Sequence, residues 1–137
     1  MDLRALSRRV GIAAAVVTVI ALVAPYAVIT GPEYATQLAA YYASGAVGWA
    51  GIALFALLSA VVIASVEQGN VDPGTLAGAA VALGLATTAS AASWALAVEP
   101  SPVFRDHLWL VWHARAVVAL SVPIPAAAAV YARELLA

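Results

Sequence analysis

Few side chains in this sequence could do chemistry, and two of them, His113 and Arg115, sit close together. An imidazole can relay protons or ligate a metal, and a guanidinium can hold an anion. Arg115 falls about seven residues inside an apolar run, or roughly 10 Å along a helix axis. A charge at that depth needs a partner, water or a route to the headgroups. Glu99, Asp106 and Glu33, in the segments flanking the apolar runs, are its candidate counter-charges, and Ser90 and Ser93 its candidate hydrogen-bond partners. The expected role of Arg115 is to reach the near interface and tie the last two apolar segments together. The sharper alternative is that it binds an anion, a lipid headgroup or a substrate.

His113 points to a different side of a helix from Arg115, with Trp109 one turn earlier on its own side. A single histidine in an apolar run is expected to be a hydrogen-bonded packing residue. Haem or quinone binding is the alternative, because imidazole is a common axial ligand. His107 stands six residues earlier on the same predicted helix, so the two histidines cannot grip one haem from opposite faces.

Other chemistries find little support. The chain has no cysteine, which excludes disulfides and thiol catalysis. It contains no HExxH, no GxSxG and no phosphate-cradling glycine loop. No carboxylate stands mid-way along an apolar run, which weakens proton-coupled transport. We therefore expect no enzyme activity, no metal and no cofactor. A net charge of −1 argues against a nucleic-acid partner.

These residues must be positioned by apolar elements. The 137 residues are 65% hydrophobic and only 9% charged, too few charges to cover a water-facing surface. Hydrocarbon is the solvent that suits such a chain, and there the backbone must satisfy itself within helices. The expected fold is all-α, a single transmembrane four-helix bundle with spans over about 10–30, 45–66, 75–98 and 107–132. Arg4, Arg8 and Arg9 precede the first span, whose apolar run is too long for an ordinary cleaved signal. Pro123 and Pro125 predict a kink in the fourth.

Thr30-Gly31-Pro32-Glu33 reads as a capped helix start, and 33–44 then places Tyr34, Leu38, Tyr41 and Tyr42 on one face. That stripe suits a short outer helix in the headgroup region, or an extension of the second span. Gly45, Gly48 and Gly51 open the second span, and Gly74, Gly78 and Gly84 line the third. Both sets are candidate helix-packing surfaces, since small residues let backbones approach closely. Thr87, Thr88, Ser90 and Ser93 are read first as packing hydroxyls and second as the lining of a polar path.

Positive residues near helix ends stay on the cytoplasmic side. Placing both termini inside puts Arg4, Arg8, Arg9 and Arg133 there, against Arg105 outside. Most aromatic residues then fall near the outer side, either as an ordinary interfacial belt or as a cap over a partner or lipid site.

Tyr41-Tyr42-Ala43-Ser44-Gly45, the Asp72-Pro73 turn and Trp94-Ala95-Leu96 resemble segments of uncharacterised small four-span membrane proteins of halophilic archaea. The resemblance covers most of the chain. It implies an archaeal source and a cell-membrane location, with no assigned activity. The leading expectation is a structural or accessory subunit that contacts membrane lipid and packs with itself or with a larger membrane complex. The alternatives are a small transporter or channel lined by Arg115 and the third-span hydroxyls, and a haem or quinone protein using His113.

Overall fold

The computed structural model describes residues 2–137, which form seven α-helices and one 3-10 turn. They are α1 (Leu3–Val28), α2 (Ala35–Ala43), α3 (Gly48–Ser65), α4 (Pro73–Ala97), α5 (Pro102–Asp106), α6 (Leu110–Ser121) and α7 (Pro123–Leu136). Val122 separates α6 from α7 but keeps helical dihedrals, so the two act as one 27-residue span. That span, α1, α3 and α4 are each long and apolar enough to cross a membrane. Each spanning helix packs against its predecessor, and the fourth returns to the first, giving an up-down bundle closed into a ring. The short turn between Ser65 and Pro73 makes α3 and α4 antiparallel neighbours, and the longer connections carry α2 and α5.

A sequence rule fixes the packing register. Buried positions alternate by threes and fours: Ala77, Ala80, Gly84, Thr87, Ala91 and Trp94 on α4, and Ile52, Ala56, Ser59, Ile63 and Val66 through and just past α3. The same spacing runs unbroken through the α6–α7 junction as Val117, Ser121, Ile124, Ala128 and Tyr131. Such an alternation keeps one seam facing its neighbours, as in left-handed bundles. The layers follow: Ala15, Ala56 and Ile124 form one cluster, Ile63, Ala80 and Ala128 another, and Val66, Ala77 and Tyr131 a third.

Side-chain sizes along this seam are inverted relative to a water-soluble core. Alanine, glycine, serine and threonine dominate inside, while Ile20, Leu54, Val61 and Leu85 are all more than half exposed outside. Large aliphatic groups on the exterior are stable in lipid and small residues at the contacts allow close van der Waals packing, the pattern of an integral membrane protein.

Local chemistry sets the helix ends. Asp2 caps α1 by accepting from the Arg4 and Ala5 amides, so the helix begins before Arg4 and carries Arg4, Arg8 and Arg9 within it rather than after them. Asp72 caps α4 through the Thr75 amide at 2.9 Å. Thr30 is not a cap: Gly31 precedes the 3-10 turn Pro32–Tyr34, and no side chain bonds its start. The α2 helix is separate from α3, because Gly45 adopts φ +85° and the chain bends over Ser44–Val47.

The glycine expectations need correction. Gly45 and Gly48 (φ +65°) shape the bend and the first residue of α3, while a Cβ on Gly51 would strike only Val47, the residue just before α3. The three therefore form no stripe, although Gly45 does allow close approach: a Cβ there would lie 2.7 Å from the Trp94 Cα. Gly74 and Gly78 are exposed and face out of the bundle. Gly84 is the interhelical contact, with a Cβ there falling 2.8 Å from the Pro125 Cα and N. Gly11, which the sequence reading passed over, provides a second against Ile63 and Ala127.

Candidate functional site

Proline organises the end of the bundle that carries α2 and α5. Pro25 has no amide hydrogen, so the carbonyl four residues earlier, that of Ala21, loses its helical donor. Within a membrane such a carbonyl must find another partner. His113 supplies it, with Nε2 2.6 Å from the Ala21 oxygen. A carbonyl only accepts, so Nε2 carries the proton. Nδ1 is then the acceptor, and the Tyr41 hydroxyl donates to it at 2.6 Å. Tyr42 mends the next step of the same helix. Its hydroxyl donates to the Leu22 carbonyl at 2.8 Å and accepts from the Tyr26 amide at 3.2 Å, bridging an i to i−4 pair.

Tyr41 is the hub. It meets Tyr42, Trp94 and Phe104 edge-on, with centroids 5.1–5.8 Å apart, and its carbonyl accepts from Trp94 Nε1 at 2.8 Å. Leu38, Tyr41 and Tyr42 are thus buried against the bundle rather than turned to headgroups, and α2 is a cap over the helix ends. The stripe faces the bundle, because the polar tips of Tyr41 and Tyr42 have partners below them. The cap is fastened at its rim by Tyr34, which donates to Asp106 Oδ2 at 2.9 Å and packs edge-on to His107. The Asp106 bond, followed by partial desolvation, raises the Tyr34 pKa above the ordinary phenol value. Burial likewise raises Tyr41, and pushes Tyr42 up to about 12 against the lowering effect of the Tyr26 amide.

The other sequence candidates do not join this cluster. Arg115 is exposed on the outer flank of α6, its guanidinium 5.1 Å from the Trp112 ring centroid. Among the described residues its expected partners Glu99, Asp106 and Glu33 make no ion pair with it; the salt bridge found is Arg8–Glu67, 3.5 Å, at the opposite end. The physical reason is register: His113, Ala114 and Val117 take the inward face of α6, which sends Arg115 outward. Ser93 accepts from the Ala46 amide at 3.1 Å and Ser90 is partly buried, so neither reaches Arg115. Glu33 and Glu99 are exposed, Glu99 beside a small pocket shared with Gln37 and Ser101. Thr88 repeats the proline logic: it donates at 3.3 Å to the Ser121 carbonyl, the oxygen that Pro125 deprives of a donor.

Chemically, the cluster is a closed circuit. Both nitrogens of His113 are engaged by protein, so ligation of a haem iron would require displacing Tyr41 or Ala21. Thr18, Ser59, Thr87 and Ser121, all fully buried in the seam, each donate to a carbonyl of their own helix at 2.7–2.8 Å. They do not line an open polar route.

Beside this circuit, under α2 and between the ends of α1 and α3, lies a groove of about 900 Å³. Val23, Tyr26, Leu38, Ala39, Tyr42 and Trp49 form its main walls. The sequence carried a signal for it in the aromatic crowding at one end, which was compatible with a cap over a lipid or partner site.

Residues 1–136 match the model of a family of unknown function, DUF7548. The chain belongs to that family. No curated protein and no solved structure matches it. For this DUF7548 member, any functional reading therefore rests on its own residues.

Proposed function

We propose that this protein is a structural or accessory membrane subunit, multi-pass in the cell membrane with both termini cytoplasmic, which contacts partners through its outer flanks. One observation carries the reading. The polar groups of the seam and of the His113 circuit are committed to the bundle itself, whereas Arg115, Trp112 and the Gly74–Gly78 face are turned outward. A guanidinium on a lipid-facing flank is costly unless a headgroup or a neighbouring protein meets it. The partner is a second copy or a larger membrane complex.

Crosslinking in native membranes, followed by purification in mild detergent, tests this. We expect a discrete species larger than the monomer that weakens in Arg115→Ala while the monomer stays folded. A strictly monomeric protein with no partner would overturn the reading. So would solute flux in reconstituted vesicles that depends on Arg115.

A further inference from the structure

The groove beneath α2 has walls of mixed depth. Val23 lies five residues before the end of α1 at Val28, about 8 Å along its axis, which is hydrocarbon depth if the helix spans the membrane. Above it stand Tyr26, 73% exposed, and Trp49, 42% exposed, residues of the kind that favour the membrane–water boundary. None of the lining residues is charged. Its hydroxyl-bearing residues are Tyr26 and Thr30 at the rim and Tyr42, whose hydroxyl is already bonded to Leu22 and Tyr26. The lining is mostly apolar, and a groove of this size left without an apolar occupant forfeits van der Waals contacts along those walls. Below Val23 the surface of α1 continues as Ile20 and Val16, both exposed and aliphatic, so the groove opens onto the lipid-facing flank.

We infer that this groove is a binding site for one hydrocarbon chain of a bilayer lipid, which enters along Val16–Ile20–Val23 and ends against Leu38 and Tyr42 beneath α2. The volume is at the upper end of the roughly 300–1,000 Å³ typical of sites that enclose most of a small ligand. Lipid is the occupant because the opening is continuous with the surface that lipid already covers, and because the walls offer no charge to recognise a peptide or an ionic solute.

The test is native mass spectrometry of the full chain purified from its own membranes in mild detergent. The wild type should carry one adduct of glycerolipid mass. Ala39→Trp, which fills the groove from an exposed position on α2, should lose that adduct while near-ultraviolet circular dichroism stays native. Ala82→Trp, adding the same bulk to the exposed flank of α4, should keep it. Ala35→Phe serves as the filling variant if Ala39→Trp does not fold. A bare wild-type mass, an adduct of quinone or peptide mass, or an adduct that survives filling of the groove would each overturn the assignment.

Discussion

The bond from His113 to the Ala21 carbonyl should matter only while position 25 is proline. In the wild type, His113→Phe preserves ring packing but removes two hydrogen bonds, each 2.6 Å long, and leaves the Ala21 oxygen and the Tyr41 hydroxyl without partners. Each buried group left unsatisfied costs about 1–3 kcal/mol. Measured interhelical bonds in membranes are weaker, averaging roughly 0.6 kcal/mol, because the denatured chain finds other partners. A destabilisation of about 2–4 kcal/mol is expected for the single variant. Pro25→Ala restores an amide hydrogen that can reach the Ala21 carbonyl within α1. In that background the Ala21 share of the loss vanishes and only the Tyr41 share remains, so the double variant should be more stable than additivity predicts by about 1 kcal/mol or more. Reversible unfolding in mixed micelles, followed by tryptophan fluorescence, measures all four corners of the cycle. Independent sites add to within about 0.5 kcal/mol. If His113→Phe costs the same in both backgrounds, the histidine is not there to satisfy the oxygen that proline frees.

The glycines separate equally clearly. Gly84→Ala forces a Cβ to 2.8 Å from the Pro125 backbone and should cost about 1–3 kcal/mol. Gly78→Ala, which meets nothing within 4 Å, should be neutral or stabilising by up to about 1 kcal/mol in the same unfolding assay. Thr88→Val should destabilise by roughly 0.5–1.5 kcal/mol, with less loss once Pro125 is replaced by alanine. For pH, the Tyr42 value in the fold lies above its ordinary 10.0, so the folded state favours the protonated phenol. Its contribution to stability is complete below pH 10 and is lost as pH rises towards about 12. The difference in tyrosinate absorbance between wild type and Tyr42→Phe should accordingly appear near pH 12, and a transition at 10 would contradict the burial described. Tyr34→Phe should speed amide exchange in α2 and α5 while leaving the four long helices protected; unchanged exchange would show that the Asp106 bond does not hold the cap.

Legibility differed from element to element. Apart from the start of α1, the four spans were read within a few residues of their ends, because apolar length alone specifies them. The α1 start was missed because Asp2 caps the helix ahead of its arginines. Pro123 and Pro125 predicted a kink; α6 and α7 divide at Val122, which itself keeps helical dihedrals. For the glycines, spacing was a poor guide: Gly74 and Gly78 fit a packing motif yet face outward, since the three–four alternation of Ala77, Ala80 and Gly84 already sets the inward face of α4. His113 is buried with both ring nitrogens hydrogen-bonded, and the acceptor of one of them lies 92 residues away in sequence, where spacing gives no signal. Arg115 was read as a tie between helices and is not. A single turn of α6 can hold either His113 or Arg115 inside, and the imidazole wins because it can satisfy Ala21 and Tyr41 at lower desolvation cost than a guanidinium.

Composition and hydropathy were enough to specify four long apolar helices and where they lie in the chain, because an apolar solvent leaves the backbone no alternative to the helix. Those properties depend on what each stretch of chain is. The direction of the α2 tyrosines, the pairing of Pro25 with His113 and of Pro125 with Thr88, and the groove beneath the cap depend on which distant backbone atom lacks a donor and which side chain the assembled bundle brings to it. That information arises only when the helices pack, since a freed carbonyl on one helix says nothing about the neighbour that will answer it.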